Sequence, residues 1–287
     1  MKILLIGKNG QLGVELENIF VETKTKLFTF GHKELDICNY AAVQKIIKKI
    51  QPDIVINASA QNVLIDCEKD PQKAFATNTF ALKNLAELCH DRHCKLITYS
   101  TDYVFDGVKG KPYKETDRPN PLQMYGLSKL AGEITCLNYN PDSIVIRTSG
   151  LYAGVTGSRA KKGNIVLKLI KECKSKPRVE VSSEQYASPT YARDLAENTV
   201  LLLRHTTARG IYHLANEGYC SWYEFAKELV TLTNIPTRVI PVDRHGAYAG
   251  IRRPLYSALK NTRAKALGIV LPPWQDALKR YLAIVFP

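Results

Sequence analysis

The segment KILLIGKNGQLG at residues 2–13 constrains this chain more than any other. A short apolar run leads directly into glycines at 7, 10 and 13, and an apolar-periodic stretch follows. That order marks a buried strand turning sharply into a helix. Gly7 permits the tight turn, Gly10 lets the backbone approach a phosphate, and Gly13 allows close packing of helix on strand. The start of the helix then offers N–H groups without partners and the positive end of a dipole. Ordinary strand-to-helix turns also carry glycines. Their place immediately after the first apolar run favours the phosphate reading.

The first half of the chain repeats this alternation. Apolar runs at 3–6, 27–30, 54–57, 96–99 and 144–147 read as strands, and 12–20, 41–50, 72–90 and 125–137 carry helical patterns. The alternation predicts an α/β fold, a doubly wound parallel sheet with helices on both faces. Such sheets bind ligands beyond the carboxyl ends of their strands, so the residues just after each apolar run are the ones to read for chemistry. The second half is less regular. It holds a Gly- and Lys-rich segment at 154–163, a helix at 165–174, a strand–helix pair at 211–214 and 222–233, and Pro-containing turns at 251–254 and 271–274. The expected division is a dinucleotide-binding domain over 1–148 and a smaller C-terminal lobe over 149–287, with some later segments returning to the first domain.

With 287 residues, 45% hydrophobic and 23% charged, the chain can bury the core of one large or two modest domains. No apolar run reaches the ~20 residues of a membrane helix, and the apolar part of MKILLIG is too short for a secretory signal. The expectation is a soluble cytoplasmic protein with no membrane partner. The seven cysteines are odd in number and form no CxxC, which argues against a disulfide framework. Cys89, His90, His93 and Cys94 are zinc-ligand types packed into one hexapeptide. Their spacing matches no common zinc pattern, so a helix end followed by a strand start is the preferred reading, and no metal is expected. The net charge of +13 suits an anionic partner. Its densest stretch runs from Arg159 to Arg178 through Lys161, Lys162, Lys168, Lys171, Lys174 and Lys176. No aromatic residue interleaves these cations, so a solvated surface is preferred and no nucleic-acid partner is expected.

The second apolar run ends in LFTFG, where the adenosine ribose of a dinucleotide would lie. A carboxylate there would favour NAD. The chain instead continues Gly31, His32, Lys33, and a cation suits a 2′-phosphate. The expectation is NADP(H), with NAD(H) left open because Glu34 and Asp36 stand close by. The fourth run ends in LITYSTDYVFDG, which sets Ser100 and Thr101 where a nicotinamide would lie. Tyr125 and Lys129, four residues apart, share a helix face. Hydride reduction of a ketone leaves an alkoxide that needs a proton. A Tyr phenol, with a pKa of roughly 10, can supply it better when an ammonium lies beside it. Lys129 can also hold the nicotinamide ribose, and Thr101 can donate a hydrogen bond to the carbonyl. YxxxK alone arises by chance in many helices; with the strand-end STDYVF and the glycine loop it is far more specific.

Together these motifs resemble the extended short-chain dehydrogenase/reductases, and within them most closely the dTDP-4-dehydrorhamnose reductase family. The similarity runs nearly end to end. It passes through GKNGQLG, PDIVINASA, STDYVFDG, Tyr113-x-Glu115, YGLSKLAGE, RTSGLYAG, EQYASPTYARDLA, GIYHLANEGYCSWYEFA, RRPLYSALKN and LPPWQDAL in family order. The resemblance implies a Rossmann sheet with a C-terminal substrate-binding lobe. It also implies NADPH-dependent reduction of the 4-keto group of a nucleotide-diphosphate deoxysugar, dTDP-4-dehydro-L-rhamnose giving dTDP-L-rhamnose. By position it makes Tyr125 the proton donor, Lys129 its partner and Thr101 the carbonyl contact. Gly10, Gln11 and Leu12 would meet the pyrophosphate, Asp36 and Ile37 would flank the adenine, and Ala60, Gln61 and Asn62 would line the cofactor further along. Asp102 would lie near the sugar. Monomer and homodimer both stay open.

Three departures bear on which sugar is used. The family carries a Trp in RTSWxY that packs on the sugar; here the position is Gly150, which removes a stacking surface and enlarges the pocket. Ile65 in LIDCE stands where VDxAE carries an Asp. Some members form metal-bridged dimers through glutamates; Glu15 fits one such position, but Arg193 replaces another. Two other functions stay open. One is a non-catalytic NADP-binding regulatory subunit resembling the methionine adenosyltransferase beta subunit, against which the full set of Thr101, Tyr125 and Lys129 stands. The other is a nucleotide-sugar epimerase, which would retain its cofactor through purification. Asp102-Tyr103 after Thr101, in place of an Asp–Glu pair, disfavours a dehydratase.

Overall fold

Each apolar run of the first half forms a strand. β1 (Lys2–Ile6) leads through the glycine turn into α1 (Gln11–Val21), and β2 (Lys26–Phe30) is followed by α2 (Tyr40–Ile50). β3 (Ile54–Asn57) precedes α3 (Leu64–Lys69), α4 (Pro71–Phe75) and α5 (Ala81–Asp91). β4 (Lys95–Thr101) precedes α6 (Met124–Tyr139), and β5 (Ile144–Thr148) closes the series. The computed structural model describes residues 1–23, 25–153, 164–243, 247–248 and 250–286. The Gly- and Lys-rich segment 154–163, with Arg159, Lys161 and Lys162 of the basic stretch, lies outside the described residues.

The five strands form one parallel sheet with a sixth, Gly210–His213, in the order Gly210–His213, β5, β4, β3, β1, β2. Side chains alternate across a strand, and here both faces are covered. Ile3, Leu5, Ile56, Ile97 and Ile146 face Leu12, Leu16 and Phe20 of α1 and Leu195 and Leu202 of the helix Ala192–Leu203. Leu4, Ile6, Val55, Leu96 and Val145 face Val43 and Ile47 of α2, Leu82 and Leu85 of α5, and Cys136 of α6. Double coverage is why the strands read as unbroken apolar runs. The sheet changes direction at β1 and β3, so a cleft opens at their carboxyl ends.

A second core gathers Tyr152, Val166, Leu169, Phe225, Leu229, Trp274 and Tyr281. It is built by the helices Ile165–Ser175, Trp222–Thr233 and Trp274–Val285 and by the parallel strands Arg178–Ser182 and Arg238–Val242. The strand–helix pair expected at 211–214 and 222–233 divides between the two cores. Its strand edges the main sheet beside β5, where Tyr212 and Leu214 are buried in the first core. Its helix begins at a capping box made by Ser221 and Glu224 and packs Phe225 and Leu229 into the second.

The single helix expected over 72–90 is also divided. α4 and α5 are joined by a π-helical turn, Ala76–Phe80. No Gly or Pro marks the break, so periodicity alone does not show it. In CHDRHC, Cys89 and Cys94 are buried while His90 and His93 are exposed, so the four side chains do not converge. Among the described residues no group of three or more His, Cys, Asp or Glu is arranged to hold a metal, and no helix is long and apolar enough to cross a membrane.

Candidate active site

A cavity of about 730 Å³ runs along the carboxyl ends of β1 to β5. At one end lies the glycine turn. Gly7 has φ +95°, and a Cβ there would stand 2.8 Å from the Ala58 backbone; a Cβ on Gly13 would stand 2.1 Å from the Gly7 carbonyl oxygen. Both positions therefore need glycine for the fold. Gly10 differs, because its Cβ would meet nothing closer than 3.4 Å. It is the N-cap of α1 and offers no side-chain cap, which leaves the first N–H groups of the helix, at Gln11, Leu12 and Gly13, open to an anion. Gln11 and Leu12 line the cavity beside it.

Beyond β2, His32, Lys33, Asp36 and Ile37 line the same cavity. Glu34, the nearest carboxylate to the turn, is occupied: it accepts a 2.8 Å hydrogen bond from Lys8 Nζ and one of 2.7 Å from the Gly31 N–H. Those bonds hold its carboxyl below the usual range. Ala60, Gln61 and Asn62 line the cavity after β3. That loop is held by Asn78 in the π-helical turn, whose Oδ1 accepts from the Gln61 N–H at 3.0 Å and whose Nδ2 donates to the Gln61 carbonyl and to Ser128 Oγ, both at 2.9 Å. Asn78 thus ties the loop to α6.

Thr101 and Asp102 close β4, and Tyr125 and Lys129 project from α6 into the cavity. The start of α6 is set by Gln123, whose Oε1 accepts from the Gly126 N–H at 2.7 Å, and by Glu68 of α3, which accepts from the Met124 N–H at 2.8 Å. A Cβ on Gly126 would lie 2.1 Å from the Tyr103 carbonyl oxygen, so glycine lets the helix press against the end of β4. Asp102 is fully enclosed. It accepts from Thr101 at 3.0 Å, from Ser149 at 2.8 Å and from Ser257 at 2.6 Å. Burial pushes its carboxyl up to about 6 against the pull of those three hydroxyls. Burial also brings the Lys129 ammonium down to about 8, with Glu133 one turn further along α6 opposing the change. The Tyr125 phenol lies above its ordinary value, raised by burial and pulled back by the Thr101 hydroxyl. The lowering expected from Lys129 is therefore not seen: burial dominates, and Thr101 is the group that opposes it. A phenol held protonated remains a competent acid toward an alkoxide, a far stronger base.

A second cavity of about 180 Å³ meets the first at Thr101, Asp102, Tyr125 and Gly150, which line both. Its other walls are Leu64, Tyr103, Gln185, Tyr186, Ala187, Trp222, Pro254 and Ser257. Gly150 does not leave the expected open space. At φ +54°, a Cβ there would stand 3.1 Å from Pro189 Cα and 3.1 Å from Trp222 Cη2. Ile65 is exposed and lines neither cavity; its neighbour Leu64 does. Arg193 pairs with Glu197 at 3.0 Å on the helix Ala192–Leu203 and lines neither cavity.

The structure thus brings all the sequence-predicted residues except Gly13 onto the walls of one connected site, with Gly13 packed directly behind its turn. Sequence reasoning missed Asn78, Glu68, Ser149, Gln185 and Ser257. Glu68, Ser149, Gln185 and Ser257 sit inside segments already quoted as motifs, but each of the five acts through a partner distant in the chain, which no local pattern shows. The chemistry available is specific. One compartment offers a bare helix N-terminus and cations at its far end; the other is small; a hydroxyl, a phenol and an ammonium stand at or beside their junction.

Residues 1–286 match the RmlD substrate binding domain. The chain is 35% identical to the spore coat polysaccharide biosynthesis protein SpsK of Bacillus subtilis, with 98% of this chain and 96% of that protein covered. A dTDP-4-dehydrorhamnose reductase structure from Clostridium acetobutylicum superposes with TM-score 0.93 at 33% identity, covering 99% of each chain. Another from Bacillus anthracis, in complex with NADP, superposes with TM-score 0.90 at 32% identity, covering 98% of each chain. Full-length similarity in sequence and in fold shows that this chain belongs to the dTDP-4-dehydrorhamnose reductase family.

Proposed function

We propose that the protein is an NADPH-dependent reductase of a 4-keto nucleotide-diphosphate deoxysugar, converting dTDP-4-dehydro-L-rhamnose to dTDP-L-rhamnose. The observation that carries this reading is the junction: Thr101 and Tyr125 line both the long cavity and the small one. A dinucleotide fits the long cavity. The α1 N-terminus is uncapped, and Gln11 Oε1, Ser100 Oγ and Thr148 Oγ1 are buried there without hydrogen-bond partners among the described residues. Gly10, Gln11 and Leu12 would hold its pyrophosphate. His32 and Lys33 would meet a 2′-phosphate, the more so because Glu34 is tied to Lys8 and Gly31. Ala60, Gln61 and Asn62 would border its middle, and Lys129 would hold the nicotinamide ribose. When bound, NADPH supplies the hydride. With substrate bound, the Thr101 hydroxyl turns its one proton from Asp102 to the ketone oxygen and orients it. Tyr125 gives that oxygen the proton it needs as the carbonyl carbon is reduced. Asp102 keeps the Ser149 and Ser257 hydroxyls in place. The names of the relatives, which point to dTDP-rhamnose and to polysaccharide synthesis, support the same substrate class.

The test is NADPH oxidation monitored against a panel of 4-keto nucleotide sugars. Turnover with dTDP-4-dehydro-L-rhamnose is expected, with loss of about 10²–10⁴-fold in kcat for Tyr125→Phe. No turnover with any member of the panel, or equal turnover in the variant, would overturn the reading. In the same assay NADPH is expected to have a lower KM than NADH, and Lys33→Ala to narrow the difference.

A further inference from the structure

Gln185 and Trp222 come from segments 37 positions apart and meet on one short ribbon. Strand Tyr186–Ala187 pairs antiparallel with Cys220–Ser221, and the Trp222 N–H donates to the Gln185 carbonyl at 3.3 Å. The capping box then fixes the first turn of the helix that follows: the Glu224 N–H donates to Ser221 Oγ at 3.1 Å, and Glu224 Oε2 accepts from the Ser221 N–H at 2.7 Å. Trp222 opens that helix, and its ring is held edge-on by Phe225 at 5.6 Å. Both residues therefore stand on rigid supports, and both line the 180 Å³ cavity. Gln185 is 7% exposed, and its Nε2 has no hydrogen-bond partner among the described residues. A buried amide donor without a partner is costly unless a ligand satisfies it.

The indole also lies where a side chain at position 150 would point, 3.1 Å from the Cβ that Gly150 lacks. A large ring at 150 and the ring of Trp222 cannot share that space in this backbone. The cavity is well below the ~300–1,000 Å³ typical of drug-sized ligands, so it holds a single ring and not a nucleotide. We propose that Trp222 and Gln185 are the sugar-recognition pair of this protein. The indole is the flat surface on which the C–H face of the sugar rests, in place of a ring at position 150, and the Gln185 carboxamide donates to a sugar hydroxyl. The proposal rests on the reductase reading of the two cavities and names the part of the substrate that each residue reads.

The test is titration calorimetry on the NADPH-loaded protein with dTDP-L-rhamnose and, separately, with dTDP. Trp222→Ala is expected to weaken dTDP-L-rhamnose on the order of tenfold, as the loss of an aromatic contact would. Gln185→Leu is expected to weaken it by a similar factor. Both variants should bind dTDP and NADPH as the parent does, which also shows that they are folded. Trp222→Phe should recover most of the loss, and carries the test if the alanine variant does not fold. Equal dTDP-L-rhamnose affinity in the variants and parent, or a matching loss for dTDP, overturns the pair while leaving the reductase reading in place. A parent protein that binds NADPH but neither dTDP-L-rhamnose nor dTDP fails the reductase reading, and the pair falls with it.

Discussion

The Ser257 hydroxyl donates a 2.6 Å hydrogen bond to Asp102 Oδ2, joining two positions 155 residues apart in the chain. Through Ser149 and Thr101 the same carboxylate also holds the ends of β5 and β4. One buried acid therefore locks the C-terminal segment onto the strand ends that carry the site.

This lock has a definite pH dependence. Burial raises the Asp102 carboxyl to about 6, above its ordinary value of 3.8, so ionisation of Asp102 opposes folding. Its unfavourable contribution is absent below about pH 4 and fully present above about pH 6, with a slope up to about 1.4 kcal/mol per pH unit between. Asp102→Asn should remove that slope. Urea unfolding of parent and variant at several pH values from 4 to 7 measures the difference; parallel stability curves would count against it. Ser257→Ala removes the shortest of the hydroxyl hydrogen bonds that favour the charged form, and should cost about 1–3 kcal/mol at pH 7 and less at pH 4.

Lys129 is expected to set an upper pH limit on cofactor use. Its ammonium is brought down to about 8 by burial, so it is charged below that pH and neutral above it. The pH profile of kcat/KM for NADPH, which reports ionisations of the free enzyme, should fall as pH rises through about 8. Lys129→Arg keeps its charge across the accessible range. Whatever its absolute rate, its profile should lack the alkaline limb. A parent profile flat to pH 10 would remove Lys129 from this role.

The three glycines of the loop separate by function. Gly13→Ala would drive a Cβ to 2.1 Å from the Gly7 carbonyl oxygen and should destabilise the fold by about 1–3 kcal/mol. Gly10→Ala meets no closer atom than 3.4 Å, so stability should change by less than about 1 kcal/mol. Its effect should appear in NADPH affinity, because Gly10 lines the cavity at the uncapped start of α1. Thermal unfolding without ligand, paired with fluorescence titration of NADPH, distinguishes the two. A Gly10→Ala variant with unchanged NADPH affinity would place the phosphates elsewhere.

The Arg147–Glu133 pair couples β5 to α6 beneath Lys129. Arg147 Nη2 donates to Glu133 Oε2 at 2.6 Å and Nε donates to both carboxylate oxygens, with the two residues 1% and 2% exposed. Glu133→Ala leaves a buried guanidinium without its counter-charge and should cost about 3–5 kcal/mol. Replacing both partners, as in Glu133→Leu with Arg147→Met, should cost less than Glu133→Ala alone. Chemical denaturation of the parent and the two variants measures this, and a larger loss in the double variant than in Glu133→Ala would contradict it.

Much of the sheet was legible in the sequence. The apolar runs ending at Ile6, Phe30, Asn57, Tyr99 and Arg147 are strands because both faces of the sheet are covered, and that coverage writes itself into consecutive residues; the last two strands run on to Thr101 and Thr148. Gly7, Gly10 and Gly13 announced the turn for the same local reason, and Tyr125 and Lys129 were paired by helical spacing alone. The division of 72–90 was not legible, because a π-helical turn needs one extra residue and no special residue type. Nor was the parting of Gly210–His213 from Trp222–Thr233 into different cores, since each segment carries a normal local pattern and only their packing differs.

By itself, then, the sequence determined what short-range physics determines: strand and helix periods, the phosphate turn, and the residue types able to move a hydride's companion proton. Only the tertiary structure decided that Asn78 braces Gln61, that Ser257 reaches Asp102, that Glu34 is already occupied, and that Trp222 fills the space beside Gly150. Apart from the Gly31 bond to Glu34, those relations join residues 17 to 155 positions apart. Backbone preferences act over a few residues, while contacts at that range exist only once the sheet has brought its strand ends together.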